Sequence, residues 1–285
     1  MSAPAHTPIG EVAPACIDVP AGDRAAVGAT PLVALHGWTG SKEDFVDVVE
    51  PLGAVRRVVV PDLPGHGSCP PPSDDDWGLA AHARWVLGLL DAMDLGEVHL
   101  LGHSHGGLVA QRVAYLASER LRSLTLLGTG LGALGDDARA MVERVAATAR
   151  DRGMDAAWAV LGGEAGEGAG GGAVDGRDAL VRERFLAMSP DAVVGVGRNL
   201  ITAMPLGAFL HGIDIPVLVC HGEGDRTWRP REQRMLADRI PTARYAVVPD
   251  ALHSPATENP TGLLDVLVPF LAAADGAGPG EQPTT

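Results

Sequence analysis

The sequence predicts an α/β fold in which helices flank a mostly parallel central sheet. Two observations support this prediction: short aliphatic runs that end in a turn recur along the chain, and amphipathic helical segments separate them. A continuous aliphatic run is typical of a strand that is buried on both faces. A helical crossover between two such strands keeps them parallel, so the alternation favours one sheet covered on both sides.

Six aliphatic runs are predicted strands, and they cover residues 31–37, 56–67, 97–104, 121–130, 215–225 and 243–253. The predicted helices between them cover residues 77–94, 105–120 and 230–240. The last of these begins with Pro230, and proline suits the first turn of a helix. Residues 11–30 are compatible with one or two edge strands whose position the pattern does not indicate.

Residues 131–211 interrupt the alternation, because they contain helical patterns and no convincing strand. We interpret them as a helical insertion between a first part of the core, 1–130, and a second part, 212–285. Within the insertion, the glycine-rich stretch 162–178 predicts a mobile loop. The two ends of the chain are rich in small and polar residues and are predicted to be disordered over 1–15 and 275–285.

The charge and composition of the chain indicate which binding partners and which cellular compartment to expect. The formal charge of −14 at pH 7 disfavours nucleic acid and anionic membranes, because both are polyanions. No apolar run approaches the roughly 18 residues that span a bilayer, and the first residues lack the basic and apolar regions of a secretory signal. The three cysteines are too few and too scattered in the sequence to indicate a disulfide framework or a zinc site. We therefore expect a cytoplasmic protein.

The stretch LLGHSHGGLVA, residues 101–111, places Ser104 between a predicted strand and a predicted helix. A sharp turn of this kind forces its central residue toward positive φ, and the small residues Gly102 and Gly106 relieve the crowding. The turn also presents backbone N–H groups at a helix N-terminus, where a developing anion is stabilised. This pattern predicts Ser104 as a nucleophile.

An alternative interpretation makes His103 and His105 a metal-binding pair and Ser104 a bystander. Side chains on either side of a turn centre diverge, and no third ligand stands nearby in the sequence, so we expect no metal. His103 is instead expected to pack or hydrogen-bond beneath the turn.

A serine hydroxyl needs a base, and that base needs an orienting acid. Asp225 ends one predicted strand and His253 follows the next, so both are expected at the same sheet edge as Ser104. Glu223 and Asp250 are the alternatives for the acid.

Five segments resemble the α/β-hydrolase fold superfamily, in its serine-nucleophile, esterase- and lipase-like branch: LHGWTGS (35–41), PDLPGHGSC (61–69), LGHSHGGLVA (101–110), VCHGEGD (219–225) and ALHSPATENP (251–260). The resemblance extends from about residue 30 to 272. In that superfamily a cap domain follows strand six, and the insertion 131–211 stands at this place.

Matched residue by residue, the resemblance implies Ser104 as nucleophile, Asp225 as acid and His253 as base. The oxyanion-hole N–H groups fall on Trp38 and His105. No cofactor is required by this chemistry.

Other polar and aromatic residues have more ordinary interpretations. His36 and His66 are expected to hydrogen-bond loop backbone. In the insertion, packing is favoured over substrate contact for Trp158, Phe185, Met188, Leu200, Met204 and Phe209. The candidates for pocket lining are His105, Trp158, Phe185 and Met204.

The predicted function is hydrolysis of a carboxylic ester or related acyl bond through an acyl-enzyme, on a small molecule with a partly apolar acyl or alcohol group. A serine at the nucleophile position argues against dehalogenase and epoxide hydrolase chemistry, which uses aspartate there. One alternative is a cofactor-independent dioxygenase of the same fold acting on an N-heteroaromatic ring, which HSHGG and Trp38 resemble. Those enzymes carry the acid after strand six, where this chain has none before Asp136. A non-catalytic binding protein is a third alternative, although such relatives need not keep all three residues.

Overall fold

A computed structural model describes residues 15–164 and 176–276 of the chain. Its seven-stranded sheet has the order β1-β3-β2-β4-β5-β6-β7. The strands are β1 (Cys16–Val19), β2 (Leu32–Leu35), β3 (Val58–Pro61), β4 (Val98–His103), β5 (Leu121–Leu127), β6 (Val217–Gly222) and β7 (Ala243–Val248). Only β1 is antiparallel to its neighbour, so the predicted mostly parallel sheet is confirmed.

The central strands are aliphatic because helices cover both faces of the sheet. Along β2, Leu32 and Ala34 point into one apolar cluster and Val33 and Leu35 into another, as the two-residue period of a strand requires. The helices on the first side are α1 (Val46–Gly53), α10 (Pro255–Glu258) and α11 (Pro260–Gly276). Those on the second side are α2 (Leu79–Ala92), α3 (His105–Ala117) and α9 (Pro230–Ala237). No described helix has the length and apolarity needed to cross a membrane.

The helical insertion contains α4 (Asp136–Arg152), α5 (Met154–Glu164), α6 (Gly176–Ala187), α7 (Pro190–Thr202) and α8 (Gly207–His211). It follows β5, the fifth described strand, and not a sixth, because the segment before β2 supplies one described strand, β1. The ends of the predicted glycine-rich loop, 162–164 and 176–178, are helical, and its remainder, 165–175, lies outside the described residues.

Each predicted disordered end is ordered where the structure describes it, while 1–14 and 277–285 lie outside the described residues. Ala15 is buried, and its carbonyl accepts a hydrogen bond of 2.7 Å from the N–H of Asp62. Asp275 belongs to α11 and accepts hydrogen bonds from Arg56 Nη1 at 3.1 Å and from His99 Nε2 at 3.0 Å. The predicted boundaries were wrong at these positions because the ordering partners are distant in sequence.

Asp275 is expected to stabilise the fold in a pH-dependent way. Burial opposes its ionisation, but the hydrogen bond from His99 and the charge of Arg56 together hold its pKa well below the usual range. A lowered folded-state pKa gives stability that is fully present above the unfolded pKa of about 3.9 and is lost as the pH falls through the folded pKa. Asp275→Ala should therefore lower the free energy of unfolding by about 2 kcal/mol at pH 7, and by less at about pH 3.

Urea unfolding at the two pH values measures this difference. Asp265→Ala is the matched control, because Asp265 lies on the exposed side of the same helix. Equal effects of the two substitutions at pH 7 would contradict the prediction.

Candidate active site

The turn between β4 and α3 has the geometry that its glycines predict. Ser104 has φ 55° and ψ −118°, a region that residues with a side chain rarely occupy. A Cβ on Gly102 would collide with the backbone carbonyl of Gly106, so the chain closes this tightly only with glycine there. The hydroxyl of Ser104 is thereby held at the carboxyl edge of the sheet.

The structure brings the three residues predicted for catalysis together. His253 Nε2 lies 3.0 Å from Ser104 Oγ, and His253 Nδ1 lies 3.1 Å from Asp225 Oδ1. A carboxylate only accepts, so Nδ1 carries the proton and Nε2 is the atom able to accept the Ser104 proton. The Asp225 carboxylate is buried, whereas 27% of the His253 side chain is exposed.

Glu223 and Asp250, the alternative acids, are both exposed. Within the described residues, neither forms a hydrogen bond or ion pair with His253, while Asp225 does. The geometry therefore favours Asp225 as the acid.

Asp225 is held by two further donors. The backbone N–H of Thr227 donates to Oδ1 at 2.8 Å, and the side-chain Nε2 of Gln233 donates to Oδ2 at 2.8 Å. Gln233 is fully buried on α9. The sequence interpretation missed it, because a glutamine eight residues after an aspartate carries no signal of contact.

His103 supports the His253 loop. Its Nε2 donates to the His253 backbone carbonyl at 2.8 Å, and the two ring centroids are 4.9 Å apart. Burial, together with the nearby His253 ring, lowers the pKa of His103 to about 3, so this donor is neutral. The predicted supporting role thus has a specific target, the backbone of the histidine that contacts Ser104.

The two histidines that flank Ser104 diverge, as expected. His103 points to His253, whereas His105 Nε2 accepts a hydrogen bond from Asn199 Nδ2 on α7 at 3.2 Å. Within the described residues, no group of three or more His, Cys, Asp and Glu side chains is arranged to hold a metal ion.

The loop that carries Trp38 lies directly against Ser104. A Cβ on Gly37 would stand 3.1 Å from Ser104 Cβ, so glycine permits this close approach. The Trp38 indole donates to the carbonyl of Val193 on α7 at 3.0 Å. His105 is the first residue of α3, where backbone N–H groups have no partner within the helix.

The loop histidines His36 and His66 hydrogen-bond backbone, as predicted. His36 donates from Nδ1 to the Gly37 carbonyl at 2.8 Å and accepts at Nε2 from the Leu63 N–H at 2.9 Å. His66 donates from Nδ1 to the Pro64 carbonyl at 3.1 Å. Burial lowers the pKa of His36 to about 4, so the ring stays neutral, with each of its nitrogens hydrogen-bonded to loop backbone.

The His105 side chain, a candidate for pocket lining, is fully buried. Its ring meets His82 edge-on, with centroids 5.4 Å apart. Asn199, which contacts its Nε2, also donates to the Trp77 carbonyl at 2.7 Å. Helix α7 of the insertion is therefore hydrogen-bonded to the residue that follows Ser104.

The other candidates for pocket lining are placed differently. Phe185 is fully buried in the apolar cluster of the insertion, with its ring 5.4 Å from that of Trp158. Met188 lies in the same cluster. Met204 is 72% exposed, which is the exposure of a surface residue and not of a pocket wall.

A second Ser–His–Asp chain stands at the opposite edge of the sheet. Ser123 Oγ lies 2.7 Å from His99 Nδ1, and His99 Nε2 lies 3.0 Å from Asp275. Ser123 is fully buried near the start of β5, so no substrate reaches its hydroxyl. The same connectivity thus serves packing there, and the two chains differ at the histidine, because 27% of the His253 side chain is exposed whereas that of His99 is fully buried.

Comparison with known proteins agrees with this architecture. A family described as alpha/beta hydrolase fold matches residues 30–152. The solved structure of a thermophilic esterase from Thermogutta terrifontis, with malate bound, is similar with a TM-score of 0.78 and 25% identity, covering 91% of this chain and 93% of that one. The chain is an α/β-hydrolase-fold protein.

Curated relatives of this α/β-hydrolase-fold protein include hydrolases. A pimeloyl-(acyl-carrier protein) methyl ester esterase from Aeromonas hydrophila is 28% identical over 258 residues, which are 84% of this chain and 94% of that relative. The dihydrolipoyllysine-residue acetyltransferase component of the acetoin cleaving system of Pseudomonas putida is 42% identical over 106 residues. That match spans 37% of this chain and 28% of the relative's own length.

Proposed function

We propose that the protein hydrolyses a carboxylic ester, or a related acyl bond, of a small molecule with a partly apolar acyl or alcohol group. The observation that carries this proposal is the hydrogen-bond chain from Asp225 through His253 to Ser104, at 3.1 and 3.0 Å, on a serine with positive φ. A buried acid, an oriented imidazole and a strained, presented hydroxyl are the parts that acyl transfer by serine needs.

In the first step, His253 Nε2 accepts the Ser104 proton while Oγ attacks the substrate carbonyl carbon. Asp225 stabilises the imidazolium that forms and keeps its own negative charge. The backbone N–H groups of Trp38 and His105 hold the oxyanion of the tetrahedral intermediate, and each contributes on the order of 3 kcal/mol to lowering the barrier.

The intermediate then collapses, and His253 gives the proton to the departing alcohol oxygen. An acyl-enzyme on Ser104 remains. A water molecule loses a proton to His253 and attacks the acyl carbon, and the second collapse releases the carboxylic acid and returns the proton to Ser104 Oγ. The named activity of the esterase relatives is of this kind.

The test combines a substrate panel with a mechanism probe. Purified protein should release nitrophenolate from p-nitrophenyl acyl esters of graded chain length, and a fluorophosphonate should label Ser104, as located by peptide mass spectrometry. Folded protein that stays unlabelled at Ser104 would overturn the proposal. Oxygen consumption with a 3-hydroxy-4-quinolone by protein inert toward esters would favour the dioxygenase alternative instead.

Asp225→Asn tests the acid. The amide fits the same space but stabilises the wrong histidine tautomer, so we expect kcat to fall by about 10⁴-fold with the fold intact. The matched controls Glu223→Gln and Asp250→Asn remove exposed carboxylates and should keep kcat within about twofold of the wild-type value. A comparable loss in either control, with near-normal Asp225→Asn, would assign the acid to that control position.

A further inference from the structure

Gln233 joins helix α9 to the carboxylate of Asp225. Its side-chain Nε2 donates to Asp225 Oδ2 at 2.8 Å and to the Trp228 carbonyl at 2.7 Å. The side chain is fully buried. Both amide hydrogens are therefore used, and the orientation of the amide is set by two acceptors at once.

The two oxygens of Asp225 have different partners. Oδ1 receives the backbone N–H of Thr227 at 2.8 Å and His253 Nδ1 at 3.1 Å. Gln233 is the donor that the described structure places at Oδ2. A buried carboxylate with one unpaired oxygen is costly, and hydrogen bonds to the charged form favour that form over the neutral acid.

When the Gln233 amide donates to Asp225, its own carbonyl oxygen is left without a hydrogen-bond donor. Gln233 Oε1 is buried and has no hydrogen-bond partner in the described structure. Turning the amide over would place this oxygen against the Asp225 carboxylate and the Trp228 carbonyl, which also only accept. One unpaired neutral oxygen is the smaller penalty, so the arrangement favours donation to Asp225.

Neutral groups dominate the rest of the carboxylate's surroundings. His253 and His103 face Asp225, and burial keeps His103 neutral. Arg234 of α9 forms an ion pair with Asp238, and Arg229, which precedes the helix, forms one with Asp137; all four side chains are exposed. No lysine or arginine forms an ion pair with Asp225 in the part of the chain that the structure describes. The neutral amide of Gln233 is thus a principal stabiliser of the negative charge.

We propose that Gln233 is a positioning residue, which donates to Oδ2 of Asp225 and so holds that carboxylate in the direction of His253. This proposal rests on the proposed function, because it assigns Gln233 an effect through the acid of the triad.

Two substitutions at this position should lower kcat with different dependence on pH. In Gln233→Glu, a protonated acid of the same shape still donates to Asp225, but an ionised one repels it, as in buried carboxyl pairs. We expect kcat at low pH within about tenfold of the wild-type value, and a decline of about 100-fold at higher pH that wild type does not show.

In Gln233→Met, a side chain of similar length donates no hydrogen bond and does not titrate. Asp225 Oδ2 then loses its donor and the carboxylate is held less well toward His253, so kcat should fall by about tenfold with the shape of its pH profile unchanged. KM should stay within about twofold for both variants, because Gln233 contacts no substrate and acts on the chemical step.

Gln111→Glu is the matched control, because Gln111 is another buried glutamine whose Nε2 donates to a carbonyl, that of Gly130 at 2.8 Å. This variant tests whether a buried carboxyl at another position also makes kcat decline at higher pH. We expect no such decline in Gln111→Glu. Circular dichroism at each pH restricts the comparison to folded protein, and each variant at position 233 is informative without the other.

Wild-type values of kcat at every pH in the folded position-233 variants, alongside a 10⁴-fold loss in Asp225→Asn, would overturn the role of Gln233 and leave the proposed function standing. A decline in Gln111→Glu that matches Gln233→Glu would also overturn it. Folded wild-type protein that hydrolyses no acyl ester and stays unlabelled at Ser104 would instead remove the proposed function itself.

Discussion

Ser104→Ala is expected to lower kcat for ester hydrolysis on the order of 10⁶-fold, since the group that forms the acyl bond is lost. The His253–Asp225 pair and the backbone donors remain, so KM for p-nitrophenyl esters should change little. Steady-state kinetics with the wild-type protein as reference measures both constants. Residual activity above one hundredth of the wild-type value in a preparation free of wild-type protein would contradict a nucleophilic serine.

The backbone conformation of the same residue is expected to be strained, which lowers the stability of the fold. Ser104 sits at φ 55° and ψ −118°, and alanine keeps the Cβ that makes this conformation costly. Ser104→Gly removes it, so we expect the glycine variant to exceed the alanine variant in free energy of unfolding by about 1–2 kcal/mol. Both variants should be inactive. Identical urea unfolding curves for the two would show that the serine conformation carries no strain.

Gly106→Ala is expected to have the largest effect on folding. A Cβ at Gly106 would lie 2.5 Å from the carbonyl oxygens of Leu35 and His36, which are backbone atoms of the central strand β2 and the loop after it. Neither side of the contact has a flexible side chain that can move away. We expect the free energy of unfolding to drop by about 3 kcal/mol, with loss of activity because the turn at Ser104 shifts.

Gly162→Ala is the matched control for this substitution. Gly162 is also helical, in α5, and a Cβ there meets nothing within 4 Å. Alanine is preferred over glycine inside helices, so this variant should be more stable than wild type by up to about 1 kcal/mol. Thermal unfolding measures whether Gly106→Ala lowers the melting temperature while Gly162→Ala raises it. Similar shifts for the two would contradict the close packing at Gly106.

Local sequence patterns predicted the sheet and the turn at Ser104 well. The strands are recognisable because each is buried on both faces and therefore aliphatic throughout, as β4 illustrates. The turn is recognisable because only glycine tolerates the contact between Gly102 and the Gly106 carbonyl. Because the carboxyl ends of parallel strands share one edge of the sheet, the sequence also predicts that Asp225 and His253 lie near Ser104.

Predictions at the edges and the surface were less accurate, since those positions depend on distant partners. β1 is a short edge strand without a distinct pattern, and it is defined by pairing with β3. Asp275 reads as the start of a polar tail but is ordered by Arg56, 219 residues earlier. Met204 is a candidate pocket residue by sequence, yet it lies two residues beyond the end of α7 and is 72% exposed.

The parallel α/β sheet and the serine-centred turn are predictable from the sequence, because burial and backbone sterics restrict which residues can stand next to each other, and the α/β-hydrolase fold follows from the resemblance of five motifs. Which side chains support the site depends on tertiary contacts. His103 reaches the His253 carbonyl across 150 residues, Asn199 reaches His105 across 94, and Gln233 reaches Asp225 from another element. A hydrogen bond depends on two atoms meeting at about 3 Å, and no local pattern records that meeting.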